Sequence, residues 1–344
     1  MKIIIIGGGI TGLYIGYILN KYGIDFSIYE KSNHIGGKLR KSKSKIYPHQ
    51  TNIINLLNEL NIKYNYEDIS YQIDYDHKLF DKIRYIYNLY KKQDITVGKF
   101  LKTILNNNEY NLFMSYIKPL KLDYMDLSYY MLYHHDNLLL INQSNKLINI
   151  NTEIIDKLAK SIQNKIILNS NIEQITYMPI TNNYMLTIDD VFINANKIIL
   201  TTAKNIKLII DNKIKSQLDK ILLFNWTKIN YKTESNTLTN YIDYFSTHND
   251  KLYKQIIQDK VLPDQLIDIY QNKPIIDYTY INHPNSYLIC KQPLITNFYT
   301  EYNLILALNY INSIEGSCII ANNTTNIILN QIYSKGSAYL FNVR

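Results

Sequence analysis

Four consecutive isoleucines, Ile3 to Ile6, run without a break into Gly7-Gly8-Gly9-Ile10-Thr11-Gly12. Few folds accept that junction. A short apolar run bounded by glycines reads as a strand buried on both faces, the usual state of a parallel-sheet strand. The next stretch, Leu13 to Lys21, has helical patterning, with Gly16 one turn past Gly12. A turn at Tyr22-Gly23 leads to a second apolar run, Phe26 to Tyr29, which ends in Glu30. The order is strand, glycine-rich turn, helix, strand, acid.

Each residue type in this order has a physical role in gripping a dinucleotide. Gly7 permits a tight turn. Gly9 carries no side chain to hold a pyrophosphate off the backbone. Gly12 and Gly16 let the helix approach the sheet. The helix N-terminus, at Ile10 and Thr11, offers N–H groups and partial positive charge to phosphate. Glu30 is placed to accept both hydroxyls of an adenosine ribose, with Lys31 beside it. Spaced glycines alone are weak evidence. Set between a buried strand and a helix, with an acid closing the next strand, they are strong evidence.

The following residues narrow the class. Glu30-Lys31-Ser32-Asn33-His34-Ile35-Gly36-Gly37-Lys38 resembles the fingerprint of the flavin-dependent amine oxidase superfamily, which continues past the ribose acid into Gly-Gly-Arg. That superfamily includes phytoene-desaturase-like and protoporphyrinogen-oxidase-like flavoproteins. UDP-galactopyranose mutases share the pattern. The resemblance implies FAD, with Gly36 and Gly37 crossing its pyrophosphate. Lys38 stands where the family has Arg. It supplies charge without a planar fork, and Arg40 is near enough in sequence to assist.

The resemblance implies an α/β fold: an FAD-binding Rossmann-type domain, a parallel sheet with a β-meander crossover, and an inserted α+β substrate or cap domain. The expected FAD-binding parts are residues 1–64, 143–212 and 291–344. The expected cap parts are 65–142 and 213–290.

A length of 344 residues accommodates this, and the apolar content supports a sizeable core. Tyr, Ile, Asn and Lys are abundant while Gly and Pro are sparse. That bias suits an AT-rich coding genome, and in it the chain resembles shortened amine-oxidase-like proteins of large DNA viruses. The net charge of +8 suits FAD and an acidic or phosphorylated ligand. Five basic residues fall between Lys38 and Lys45. They read as a solvated loop. No motif of a nucleic-acid module accompanies them, so no nucleic-acid partner is expected. Two cysteines, Cys290 and Cys318, cannot build a disulfide framework, which fits a reducing, cytoplasmic setting, the host cytoplasm if the source is viral. The N-terminal isoleucines are interrupted by glycines and are not a membrane span, and no metal-ligand spacing is present. The oligomeric state is left open.

Beyond the basic run, Thr51 to Leu60 carries a helical apolar stripe. In the family a strand with a small-residue pair precedes this helix. Here only Lys-rich residues precede His49, which reads as a deletion near the flavin. Residues 65–140 read as a mainly helical cap, with helices over Val97–Leu105 and Tyr110–Ile117. His134-His135-Asp136 reads as surface or cap packing, not as a metal site. Asn151 to Ile162 reads as an amphipathic helix. Short strands follow at Lys165–Leu168, Ile172–Tyr177, Tyr184–Ile188, Val191–Ile193 and Ile198–Thr201, with a tight turn at Asp189-Asp190. By resemblance, Ile172 contacts adenine and Thr202 lies beside the dinucleotide. Residues 213–290 alternate strand-like and helical stretches. Lys228 resembles a lysine that some related oxidases hold near flavin N5 through a water, and it is the candidate catalytic residue. A surface lysine on an alternating strand is the plainer reading.

Leu304 to Asn309 and Ser313-Ile314-Glu315-Gly316 resemble the family's closing motif. The resemblance implies that Ile314 presents an N–H to the flavin pyrimidine oxygen. Asn309 replaces an acid that holds the ribityl-phosphate end. Leu308 replaces a glycine, which implies crowding. Ser313 replaces an aromatic of the amine cage. Residues 335–344 read as a loose tail.

Three functions follow. The first is an FAD-dependent oxidoreductase of amine-oxidase type, passing a hydride from a small-molecule substrate, such as an amine, to flavin N5. The second is a non-catalytic FAD- or nucleotide-binding protein, suggested by the departures above. The third is a flavoenzyme like UDP-galactopyranose mutase.

Overall fold

The computed structural model describes residues 1–41, 44–48, 50–68, 77–89, 97–117, 146–202, 206–210, 221–233, 252–257, 275–290, 303–308 and 314–340. The fold is mixed α/β, centred on a five-stranded parallel sheet. Its strands are β1 (Ile3–Ile6), β2 (Phe26–Tyr29), β6 (Ile166–Ile167), β10 (Lys197–Leu200) and β15 (Leu304–Leu306), in the order β15-β10-β1-β2-β6. All four pairings are parallel. Ile3, Ile4 and Ile5 are fully buried and Ile6 is 4 % exposed. Burial of each contributes about 2 kcal/mol, so this strand alone anchors much of the core.

Strand order decides where a ligand can sit. From β1 the chain moves outward to β2 on one side, and later returns to β10 on the other. The direction of winding reverses between β1 and β10. In open parallel sheets a crevice opens at such a point, past the C-terminal strand ends. Here those ends are Ile6 and Leu200, paired in register.

Helix α1 (Ile10–Lys21) lies on this sheet. A Cβ added to Gly16 would come within 2.9 Å of Ile28 Cδ1 and Phe26 Cε2 and 3.1 Å of Ile162 Cδ1. Glycine is what allows that approach. On its other sides α1 meets α7 (Glu153–Lys160) and the long C-terminal helix α8 (Ile314–Leu340). The expected tail is therefore helical as far as Leu340, a correction. The predicted helix over Asn151–Ile162 is α7, with Ile154, Ile155, Leu158 and Ala159 buried.

A second sheet, β11-β7-β8-β9, is the meander. It comprises β7 (Ile172–Met178), β8 (Asn183–Ile188), β9 (Val191–Ala195) and β11 (Lys207–Ile209). Asp189 and Asp190 turn β8 into β9 with φ of +45° and +62°. Those values belong to the two-residue hairpin turn that matches strand twist.

The third sheet overturns an expectation. Strand β3 (Ser44–Ile46) pairs antiparallel with β5 (Lys146–Ile150), which also pairs with β4 (Tyr66–Asp68). The strand before helix α3 (Thr51–Glu59) is thus present, not deleted. The basic run is likewise not one loop: α2 (Lys38–Lys41) forms a helical turn ahead of β3. Ile46, 1 % exposed, anchors the strand despite its lysine neighbours.

Helices α4 (His77–Leu89), α5 (Val97–Ile104) and α6 (Asn107–Ile117) fill the described part of the predicted cap. The fourth sheet holds β12 (Ile221–Thr233), β13 (Leu252–Ile257) and β14 (Ile275–Cys290) in the order β13-β12-β14. Among the described residues of 213–290 there are strands and no helix, so the expected alternation is corrected there. Pro284 lies in β14, an edge strand, where its missing N–H does not break an interior ladder. The register with β12 shifts beside it, between Phe224 and Trp226. Among the described residues no helix is long and apolar enough to cross a membrane.

Candidate functional site

The C-terminal ends of β1 and β10 are bordered by Gly7 and Thr201. Gly7 has φ +108° and donates its N–H to Tyr29 O at 2.9 Å. Thr201, just past β10, closes the other side: its N–H and its Oγ1 donate to Ile6 O at 3.0 and 2.7 Å. A Cβ on Gly7 would strike Thr201 Oγ1. Thr202 follows, half-buried.

The glycines of the turn divide their roles. A Cβ on Gly12 would collide with Gly7 O, so Gly12 serves packing. Gly9 differs. It is the N-cap of α1, with φ −73° and ψ 176°, and a Cβ there would meet no atom of the described residues within 4 Å. That backbone is ordinary for any residue, and the space before it is open. No side chain caps α1, and its first turn holds no acid. The helix therefore presents uncompensated positive partial charge at Ile10 and Thr11. This geometry fits an anion of pyrophosphate type.

The second glycine pair docks directly on the first. Gly36 donates its N–H to Gly8 O at 2.8 Å, and Gly9 and Gly36 form an isolated parallel bridge. Both Gly36 (φ +102°) and Gly37 (φ +55°) occupy the left-handed region. A Cβ on Gly37 would lie 3.4 Å from Gly9 Cα. A Cβ on Gly36 would lie 2.5 Å from Ile155 Cδ1, with α7 directly behind it. Lys38, exposed, begins α2 immediately afterwards.

Glu30 sits where β2 ends, 9 % exposed. Its Oε2 accepts the Gly8 N–H at 2.7 Å. Its Oε1 accepts the Ser32 N–H at 2.9 Å and the Ser32 hydroxyl at 2.7 Å. Sequence reasoning placed Glu30 at this position and missed its two partners. Lys31 is exposed. The backbone around Glu30 is tied to the loop after β6. Glu30 N donates to Ile167 O at 2.9 Å, Ser170 N to Glu30 O at 2.9 Å, and Asn169 N to Ser32 O at 3.0 Å. Ile172, 4 % exposed, opens β7 just beyond this loop.

The remaining candidates are spread more widely. Ile314 is the first residue of α8 and is half-buried. Lys228 lies on the middle strand β12, in register with Gln255 and Ile281. Asn309, Ser313, His49 and the His134-His135-Asp136 run lie outside the described residues. Leu308 is 1 % exposed and belongs to the hydrophobic core. Among the described residues no group of acids, histidines and cysteines could hold a metal.

One residue of the closing motif has a role that the sequence reading did not give it. Glu315, 7 % exposed, accepts the N–H groups of Asn52 and Ile53 at 3.2 and 2.8 Å and the Asn52 amide at 2.6 Å. Its carboxylate occupies the N-terminus of α3. The motif marks the residue but not this contact, since its partners lie more than 260 residues away.

Comparison with known proteins agrees with this geometry. Residues 5–59 match the NAD(P)-binding Rossmann-like domain. A 44-residue stretch is 48 % identical to 4,4'-diaponeurosporene oxygenase of Staphylococcus haemolyticus, which amounts to 13 % of this chain and 9 % of that protein. Across nearly the whole chain the fold is similar to that of three solved structures. Cyclohexylamine oxidase from Brevibacterium oxydans IH-35A matches with a TM-score of 0.70 at 12 % identity, over 96 % of this chain and 99 % of that one. Putrescine oxidase bound to putrescine matches with a TM-score of 0.66 at 11 % identity, over 96 % and 99 %. The CLA-producing fatty acid isomerase from P. acnes matches with a TM-score of 0.71 at 11 % identity, over 95 % and 98 %. The chain thus carries a Rossmann-type nucleotide-binding unit within a fold shared by amine oxidases and a fatty acid isomerase.

Proposed function

We propose that the chain binds FAD at the paired glycine turns and acts as an oxidoreductase of amine-oxidase type on a small-molecule substrate. One observation carries the cofactor: the docking of Gly36 on Gly8, which places two glycine turns and an uncapped helix N-terminus around one open space. A plain nicotinamide site needs only the first turn. Gly7, Gly9, Ile10, Thr11 and Gly12 would hold the pyrophosphate from one side, and Gly36, Gly37 and Lys38 from the other. Glu30 and Lys31 would hold the adenosine ribose and Ile172 the adenine. Thr202, Asn309 and Ile314 would serve the flavin end. Bound FAD supplies an electron sink that accepts a hydride from a substrate C–N or C–H bond. The protein's part is to hold the nucleotide, exclude water and orient the substrate.

The amine class rests on the fold shared with cyclohexylamine oxidase and putrescine oxidase. The fold shared with the fatty acid isomerase shows that the same scaffold serves other substrates. The test is the visible spectrum of the purified protein, followed by anaerobic addition of a panel of amines. Flavin bands that bleach under an amine support the reading. A colourless protein that does not take up FAD overturns it.

A second reading, a flavin- or nucleotide-binding module without turnover, is favoured by one specific feature. Lys38 replaces the forked side chain expected at the pyrophosphate. Flavin bands that no donor bleaches would select this reading.

A further inference from the structure

A carboxylate offers about four acceptor positions, two on each oxygen. At Glu30 three are already taken. The Ser32 N–H and the Ser32 hydroxyl fill both positions on Oε1, at 2.9 and 2.7 Å. The Gly8 N–H fills one position on Oε2, at 2.7 Å. Among the described residues nothing fills the other position on Oε2.

This arrangement is fixed from several directions. Gly8 is buried, and a Cβ on it would lie 3.0 Å from Glu30 Cβ, so the two segments are already in contact. The Ser32 carbonyl is held by Asn169 N, and Glu30 is held on both backbone faces by Ile167 and Ser170. Asn169 itself is locked at φ +52°. The backbone of Ser32, and with it the N–H bond to Glu30 Oε1, is held by this set, and the hydroxyl is placed 2.7 Å from the same oxygen. The carboxylate is also largely removed from water, so its three hydrogen bonds keep their strength.

We propose that Ser32 is a specificity-determining residue of the nucleotide site. By saturating Oε1 it leaves Glu30 able to receive one ribose hydroxyl and not two. The inference rests on the nucleotide-binding reading above. It differs from the expectation that Glu30 accepts both hydroxyls. It also gives the Ser32 hydroxyl a measurable role, since that group decides how many sugar oxygens the acid reads.

Calorimetric titration of the full chain with ADP, 2'-deoxy-ADP and 3'-deoxy-ADP tests this directly. For the parent protein, loss of one hydroxyl should weaken binding roughly tenfold or more, the scale of a charge-assisted hydrogen bond, and loss of the other should change it by no more than about twofold. In Ser32→Ala one position on Oε1 is freed, so both deoxy analogues should bind more weakly than ADP. Ser32→Thr keeps the hydroxyl and should restore the parental pattern. Equal penalties for the two analogues in the parent would overturn the inference and leave nucleotide binding standing. So would a pattern that Ser32→Ala does not alter. Failure of ADP and FAD to bind the parent at all would overturn the nucleotide reading itself, and this inference with it.

Discussion

The carboxylate of Glu315 accepts the N–H of Ile53 at 2.8 Å and thereby joins the first turn of α8 to the first turn of α3. It neutralises the positive end of α3 with a buried charge. The other end of α3 is met in the opposite sense. Lys157 of α7 donates to the carbonyls of Leu60 and Asn61 at 3.0 and 2.8 Å. One short helix, nine residues long, is thus clamped by an anion and a cation from distant parts of the chain.

The two clamps should differ in weight. Glu315 is buried and accepts three hydrogen bonds. Its replacement by Ala strands buried donors and should cost about 2–4 kcal/mol. Lys157 is one-third exposed and also faces Glu153 at 3.3 Å. Lys157→Met should cost only about 0.5–1 kcal/mol. Urea unfolding of both variants gives the comparison. Equal losses would show that the charge at the α3 N-terminus has no special role.

The glycine turn supports a paired prediction. At Gly9 the protein leaves open space and an ordinary backbone. Gly9→Val should therefore fold normally and fail to retain FAD, because the isopropyl group takes the pyrophosphate's place. Gly12→Ala places its methyl group against Gly7 O and should destabilise the fold itself. Thermal melting and flavin retention, measured together, separate the two. A Gly9→Val protein as yellow as the parent would remove pyrophosphate from this turn.

Local spacing made this half of the site legible. Glycines and isoleucines within forty residues signal strand, turn and helix by local pattern alone, although the strand's partner β10 lies far along the chain. Strand β3 was not legible for the opposite reason. It has three residues, two of them Ser44 and Lys45, and its partner strand is a hundred residues away. Register there is set by burial of Ile46 against Ile148, which no local pattern reports. The C-terminal residues read as a loose tail, whereas α8 continues through Gly336 to Leu340. At Glu30 the residue was evident and its hydrogen-bond partners were not, since a sequence gives no lone-pair count.

Glu30→Ala should weaken FAD binding by roughly 1.5–3 kcal/mol, the worth of a charge-assisted hydrogen bond. It should also reduce stability, because the buried Gly8 N–H loses its acceptor. Titration with FAD measures the first effect and chemical unfolding without FAD the second. An unchanged dissociation constant would rule out ribose contact by Glu30.

Cys318 lies fully buried on α8. Burial, and to a smaller degree the nearby Glu315 carboxylate, push its thiol well above the ordinary range. The thiolate is the reactive form, so Cys318 should stay unmodified by iodoacetamide in the native protein at a pH of about 8 and react once the chain is unfolded. Peptide mapping reads this at the single residue. Rapid native labelling of Cys318 would show that α8 opens readily from the sheet.

The last prediction separates affinity from turnover. On the proposed reading, adenine, ribose and pyrophosphate would be held by Gly7 to Gly12, Glu30, Gly36, Gly37 and Ile172. One departure that weighs against an enzyme loses force, because β3 is present. Lys38 and Ser313 remain, and Asn309 still replaces an acid at the flavin end. Binding energy is spread along the whole dinucleotide, whereas turnover needs ring and substrate held within a fraction of an ångström or so. Substitutions at the flavin end should therefore reduce turnover more than affinity. Ser313 in particular supplies no aromatic wall for an amine. The expected result is tight FAD binding with slow reduction by common mono- and polyamines. Anaerobic stopped-flow with putrescine, spermidine and an aromatic amine decides it. Rapid bleaching by any of them would establish a conventional amine oxidase in spite of Ser313. Equal affinity for ADP and FAD would mean that the flavin ring adds nothing to binding, and that only the adenosine half of the site remains in use.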